Sequence, residues 1–196
     1  MLDTPTYFEN RWTSQELARA RAKEIHILRV VWPDYTPSPL TDFSETVYLE
    51  QADLEGPLGP IREEVVDRIT LLAERLRSRS IAARNMSIAG RLRAEVERIG
   101  GNVEGVGMHR AIALSLPDGT RVWAYPAVGI PTAFLLNDIA SRAEAANQEG
   151  RPILVYDHVG INDRWMNHLR WLDENIEVIK AIRAGEAGWT LAAWIE

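Results

Sequence analysis

The sequence contains no cysteine. That excludes disulfides, thiolate metal sites and cysteine nucleophiles, and it suits a reducing, cytoplasmic compartment. Lysine is almost as scarce: Lys23 and Lys180 are the only two among 22 basic residues, the rest being arginine. No apolar run approaches the ~18 residues of a membrane span. Residues 1–12 (MLDTPTYFENRW) have neither the basic start nor the apolar stretch of a secretory leader. Positive charge is in deficit, with a formal net charge of -6 and a pI near 5.3. DNA, RNA and anionic membranes are therefore disfavoured as partners. The four histidines, His26, His109, His158 and His168, show no H-x-x-x-H spacing, so no metal site is expected.

What is present is an ordinary globular composition. Hydrophobic residues make up 46% and charged residues 26% of 196 positions, enough for one large core or two small ones. Residues 1–10 are short and turn-rich. Thr13-Ser14-Gln15-Glu16 fits a capping box and predicts a helix over 13–23. The β-branched run 25–32 (IHILRVVW) predicts a strand buried on both faces and stopped by Pro33. A loop over 33–44 and a short strand over 46–49 follow. Ile61, Val65, Ile69, Leu72 and Leu76 form one stripe of an amphipathic helix over 61–79. Ile88, Leu92, Val96 and Ile99 form a second stripe over 81–99, and the weak helix formers at 78–80 predict a break between the two. Strands are expected at 102–107, 111–116 and 121–127. Pro117-Asp118-Gly119 joins the last two, with proline presetting φ and glycine taking the left-handed position. A helix over 131–149, a strand over 151–156, a helix over 163–183 and a short helix over 189–195 complete the order. The fold class is α/β throughout, divided into residues 1–79 and 80–196.

The one sharp motif is Trp12-x-x-x-Glu16. On spacing alone it reads as a capped helix start with a tryptophan anchoring the entry. In context, the run TYFENRWTSQELARARAKEIHILRVVWP resembles the C-terminal half of a TIR domain, a flavodoxin-like α/β fold. That family shows a serine- or threonine-bearing loop, here residues 4–10, then a W-x-x-x-E helix, then a buried strand often ending in Trp-Pro. The resemblance covers residues 1–79 and leaves the family's first half without a counterpart. It implies that Glu16 is the catalytic carboxylate of an NAD-cleaving enzyme and that Trp12 walls the pocket or holds the helix. Cleaving the nicotinamide–ribose bond builds positive charge on the ribose, which a fixed carboxylate stabilises. NAD would be a substrate, no cofactor is implied, and activity would require the family's first half to be supplied. The family further implies a role in bacterial-style antiphage defence or signalling, with self-association or other TIR domains as partners. A non-enzymatic interaction or adaptor module is the alternative.

Residues 80–196 carry the order α-β-β-β-α-β-α, similar to the core of restriction-endonuclease-like folds. Those nucleases place an acid on the second strand and (D/E)-x-K on the third. AIALSLP has no acid, and RVWAYPAV has neither acid nor lysine, so the nuclease chemistry is not expected. Asp157-His158 follows a buried strand, where α/β folds seat their ligands. This pair is the candidate small-ligand site, the plain alternative being a turn bonded by Asp157. His109-Arg110 is either an anion site or a simple turn. Trp165, Leu169, Leu172, Ile176 and Ile179 share one helical stripe, with Trp171 and Val178 on another. The two stripes point to a helix packed on both sides or offering one side to a partner.

Overall fold

The structure is a computed structural model describing residues 1–22, 25–41, 45–57, 59–159 and 161–195. The chain is α/β and divides into two compact units, Met1–Ala82 and Ala83–Glu196. Among the described residues no helix is long and apolar enough to cross a membrane.

The N-terminal unit is built on three parallel strands in sequence order, β1 (Leu2–Asp3), β2 (Leu28–Val31) and β3 (Glu45–Tyr48). Helix α1 (Arg11–Ala22) lies between β1 and β2 in the chain. The parallel ladder pairs Asp3 with Val31 and Val30 with Val47. Side chains alternate across a pleated strand. Val30 and Val47 accordingly join Leu49 and Val65 in a cluster completed by Ile61, Ile69 and Leu72. Arg29, on the other face, is 3% exposed. Its guanidinium donates to Thr46 Oγ1 at 3.1 Å, to the Ser38 carbonyl at 3.4 Å and to the Thr41 hydroxyl.

Three expectations are corrected here. Residues 2–3 are a strand rather than turn: two residues are too few for a sequence signal, and only pairing with β2 defines them. The strand expected over 25–32 shortens to Leu28–Val31. The first helix begins at Arg11 instead of Thr13, capped by Asn10, whose Oδ1 accepts from the Trp12 amide at 2.9 Å. Thr13 lies inside the first turn, and its hydroxyl donates to the carbonyls of Tyr7 and, at 2.8 Å, Asn10. The capping box with Glu16 is therefore not the helix start. The predicted helix end at Lys23 and the part of the predicted loop at 42–44 lie outside the described residues.

Helix α2 (Glu63–Arg98) is continuous, and the break expected at 78–80 does not occur. Serine costs only about 0.5 kcal/mol against alanine in a helix, and no proline or glycine lies there to stop it. Residues 63–82 of α2 belong to the N-terminal unit and residues 83–98 to the C-terminal unit.

The C-terminal unit is a five-stranded sheet in the order β4 (Asn102–Val106), β5 (Ile112–Ser115), β6 (Arg121–Ala127), β7 (Arg151–Tyr156), β8 (Lys180–Arg183). The first three strands run antiparallel; β6, β7 and β8 are parallel. Between β6 and β7 runs α3 (Ala133–Ala145), shorter than the expected 131–149 and capped by Thr132. Between β7 and β8 runs α4 (Asp163–Asn175), capped by Asn162; α5 (Ala187–Ala192) comes last. Alternation along β6 and β7 separates two cores. Val122, Ala124, Ile153 and Val155 pack with Ile88, Leu92 and Val96 of α2 and Leu191 of α5. Tyr125, Leu154 and Tyr156 pack with Leu136 and Ile139 of α3 and Leu169 and Leu172 of α4. At the β5–β6 hairpin Gly119 has φ 85°, and Asp118 Oδ1 accepts from the Thr120 amide at 2.8 Å, as its sequence predicts.

The helix expected over 163–183 is a second correction of kind. It ends at Asn175, and Lys180–Arg183 is the edge strand β8, in register with Ile153–Tyr156. The apolar stripe therefore continues past the helix: Ile179 leads into β8, and Val178 (68% exposed) is not on the same helix as Trp171.

Candidate functional site

Two places carry chemistry, one in each unit. In the N-terminal unit it is the carboxyl end of β1. Asp3 ends that strand with no exposure, and neither carboxylate oxygen has a hydrogen-bond partner among the described residues. Burial raises the Asp3 carboxyl above its ordinary value, and the Arg29 charge only partly opposes this. The chain then passes through the turn at Tyr7–Glu9 into α1. Burial also pushes the Tyr7 phenol up, and the negative charges of Glu16 and Asp3 push it further. Asp3, Tyr7 and Glu16 thus share one electrostatic neighbourhood.

Glu16 is exposed on α1, and Trp12, one turn earlier, is 70% exposed. The i,i+4 spacing sets both on one helix face. Leu17, the buried residue of α1, anchors the helix instead of Trp12. Asp3 was missed by sequence reasoning because β1 was; an acid in an otherwise apolar start, MLDT, was the available signal.

Asp3 makes the N-terminal unit sensitive to pH in a defined direction. A carboxyl with a raised folded value lends stability below the ordinary carboxylate range and loses it as pH rises through the folded value. Asp3→Asn removes the titration. The melting-temperature difference, variant minus wild type, should therefore grow more positive between about pH 4 and pH 7. A difference that stays constant across that interval would show that Asp3 is as solvated folded as unfolded.

In the C-terminal unit the carboxyl ends of β7 and β8 lie side by side, with Tyr156 opposite Arg183. A cavity of about 220 Å³ opens there. It is lined by Tyr156 at the end of β7 with Asp157 and His158 beyond it, by Arg183 at the end of β8 with Glu186 beyond it, and by Arg91 of α2. The structure thus brings the Asp157-His158 pair to a concave surface. His158 is exposed, whereas Asp157 is 8% exposed and fully engaged. Arg84 grips it with two donors, Nη2 to Oδ1 at 2.5 Å and Nε to Oδ2 at 3.1 Å. The Val159 amide adds a third contact to Oδ1 at 3.2 Å, so Asp157 does bond its own turn.

The chain matches no family model, no curated protein and no solved structure. The geometry therefore carries the functional reading. Arg183 donates to Glu186 at 2.8 Å and lies against the Tyr156 hydroxyl, whose phenol burial holds above its ordinary value. Arg91 is exposed and has no ion pair among the described residues. Sequence reasoning missed Arg91 and Arg183, which line the pocket from elements remote from Asp157, and Arg84, which holds Asp157 from α2.

His109-Arg110 proves to be a tight hairpin. Both residues have positive φ, 55° and 60°, and the Ala111 amide closes the turn on the Met108 carbonyl at 3.1 Å. They are exposed at the β4–β5 connection. Trp165, His168 and Trp171 form an exposed aromatic row on α4, with His168 stacked on Trp171 at 6.1 Å.

Proposed function

We propose that the N-terminal unit is the later part of a TIR-type sheet and that the chain serves NAD cleavage with Glu16 as its carboxylate. The observation that carries this reading is the strand order. In a flavodoxin-like sheet of order 2-1-3-4-5, the last three strands are parallel neighbours in chain sequence. β1, β2 and β3 have that arrangement. The same rule puts the ligand crevice outside the carboxyl end of strand 3, beside the point where the order reverses. Strand 3 corresponds to β1, which ends in Asp3 and leads through Tyr7 to the helix of Glu16.

On this reading NAD and water give ADP-ribose, nicotinamide and a proton. The glycosidic carbon–nitrogen bond breaks, nicotinamide keeps the electron pair and leaves neutral, and water adds to the ribose cation. Glu16 stabilises that cation. The rest of the crevice is the portion that the family's first half supplies.

Nicotinamide release by the full chain, assayed with the first half of a TIR-type domain supplied as a second polypeptide, tests this, with Glu16→Ala as the variant. A fixed charge facing a developing one is worth about 10²- to 10³-fold, so release should fall at least a hundredfold. Equal release by both proteins would remove Glu16 from the chemistry. An inert wild type would favour the second reading, a non-enzymatic interaction module.

A further inference from the structure

The cavity at the ends of β7 and β8 belongs to the other unit and owes nothing to the TIR-type reading. Its charges leave one cation over. Arg84 is neutralised by Asp157 across two bonds. Arg183 is neutralised by Glu186. Arg91 alone, among the described residues, faces the pocket without a carboxylate. His158 lines the same rim. At about 220 Å³ the space falls below the ~300–1,000 Å³ of pockets for drug-sized ligands. It suits a group of a few atoms.

We propose that this pocket binds a phosphate group, held by the guanidinium of Arg91 with Arg183 and His158 of the same lining as further donors. The location is the one α/β sheets use for ligands, outside the carboxyl ends of adjacent parallel strands. Donors reach it from a helix and from the ends of two strands. A tetrahedral oxyanion accepts from several directions at once, whereas a planar carboxylate accepts in one plane. The Arg84–Asp157 pair does not touch the anion. It fixes the β7 turn and neutralises one of the two carboxylates that line the pocket. Glu186 is the remaining negative group, and its Oε1 is turned onto Arg183.

The test is calorimetric titration of inorganic phosphate into the full chain at fixed ionic strength and near-neutral pH. Saturable binding is expected. Arg91→Gln should weaken it by about tenfold or more, the usual worth of a hydrogen bond to a charged group. Arg91 is exposed and makes no ion pair among the described residues, so its variant should unfold like the wild type. That control separates lost binding from lost folding. The proposal is overturned by the absence of saturable heat, by an Arg91→Gln titration that matches wild type, or by acetate binding as tightly as phosphate. The last result would assign the pocket to carboxylates.

Discussion

Arg84→Ala should destabilise the C-terminal unit by about 3 kcal/mol, at the lower end of the range for breaking a buried ion pair. The loss comes less from the attraction removed than from the charge left behind. Asp157 is 8% exposed, and without Arg84 its carboxylate keeps only the Val159 amide. The Arg84 side chain is 28% exposed, so water can enter the vacated space and hold the loss near that lower end. Asp157→Asn should cost less, because the unpaired guanidinium can turn towards solvent. Urea unfolding of the two single variants and the double variant reads the coupling directly, with about 0.5–3 kcal/mol expected for groups in contact. An Arg84→Ala protein within about 0.5 kcal/mol of wild type would mean that the carboxylate is solvated after all.

Gly150→Ala should be at least as damaging, at roughly 3 kcal/mol, from two costs that can be separated. Gly150 enters β7 with φ 122°, a backbone that side chains rarely adopt. A Cβ there would lie 2.5 Å from the Arg121 carbonyl oxygen, which is backbone and cannot swing aside. β6 and β7 are parallel neighbours that pair Val122 with Arg151, so the clash falls at the start of a central ladder. Gly129 supplies the control. Its φ is 109° and nothing lies within 4 Å of its Cβ position, so Gly129→Ala meets only the conformational term, about 1–2 kcal/mol. Comparable losses for the two variants would show that strands β6 and β7 separate easily at this end.

The elements that sequence reasoning placed well are those whose burial writes a period into the chain. The stripe Ile88, Leu92, Val96 and the alternation Val122, Ala124 against Tyr125 are such records. The misplaced elements are those whose identity rests on partners. Lys180-Ala181-Ile182-Arg183 is made largely of good helix formers and follows a helix, so local preference extends α4. Pairing with β7 overrides it. β1 is too short to show any period. At the pocket, Asp157-His158 was legible because it follows a buried strand. Arg84 was not, being 73 residues away in sequence. A single sequence offers no means of joining such distant residues, and only the fold brings them together.

Helix α2 has a consequence of a different sort. Val65 and Leu76 are buried in the N-terminal unit, and Ile88, Leu92 and Val96 in the C-terminal one. The amides of one continuous helix thus answer to two separate cores. Their exchange with heavy water is governed by whichever core must open, so protection can step along the helix without any break in it. An uninterrupted secondary structure is here two thermodynamic neighbourhoods, and the helix carries the stability of each unit within its own amides.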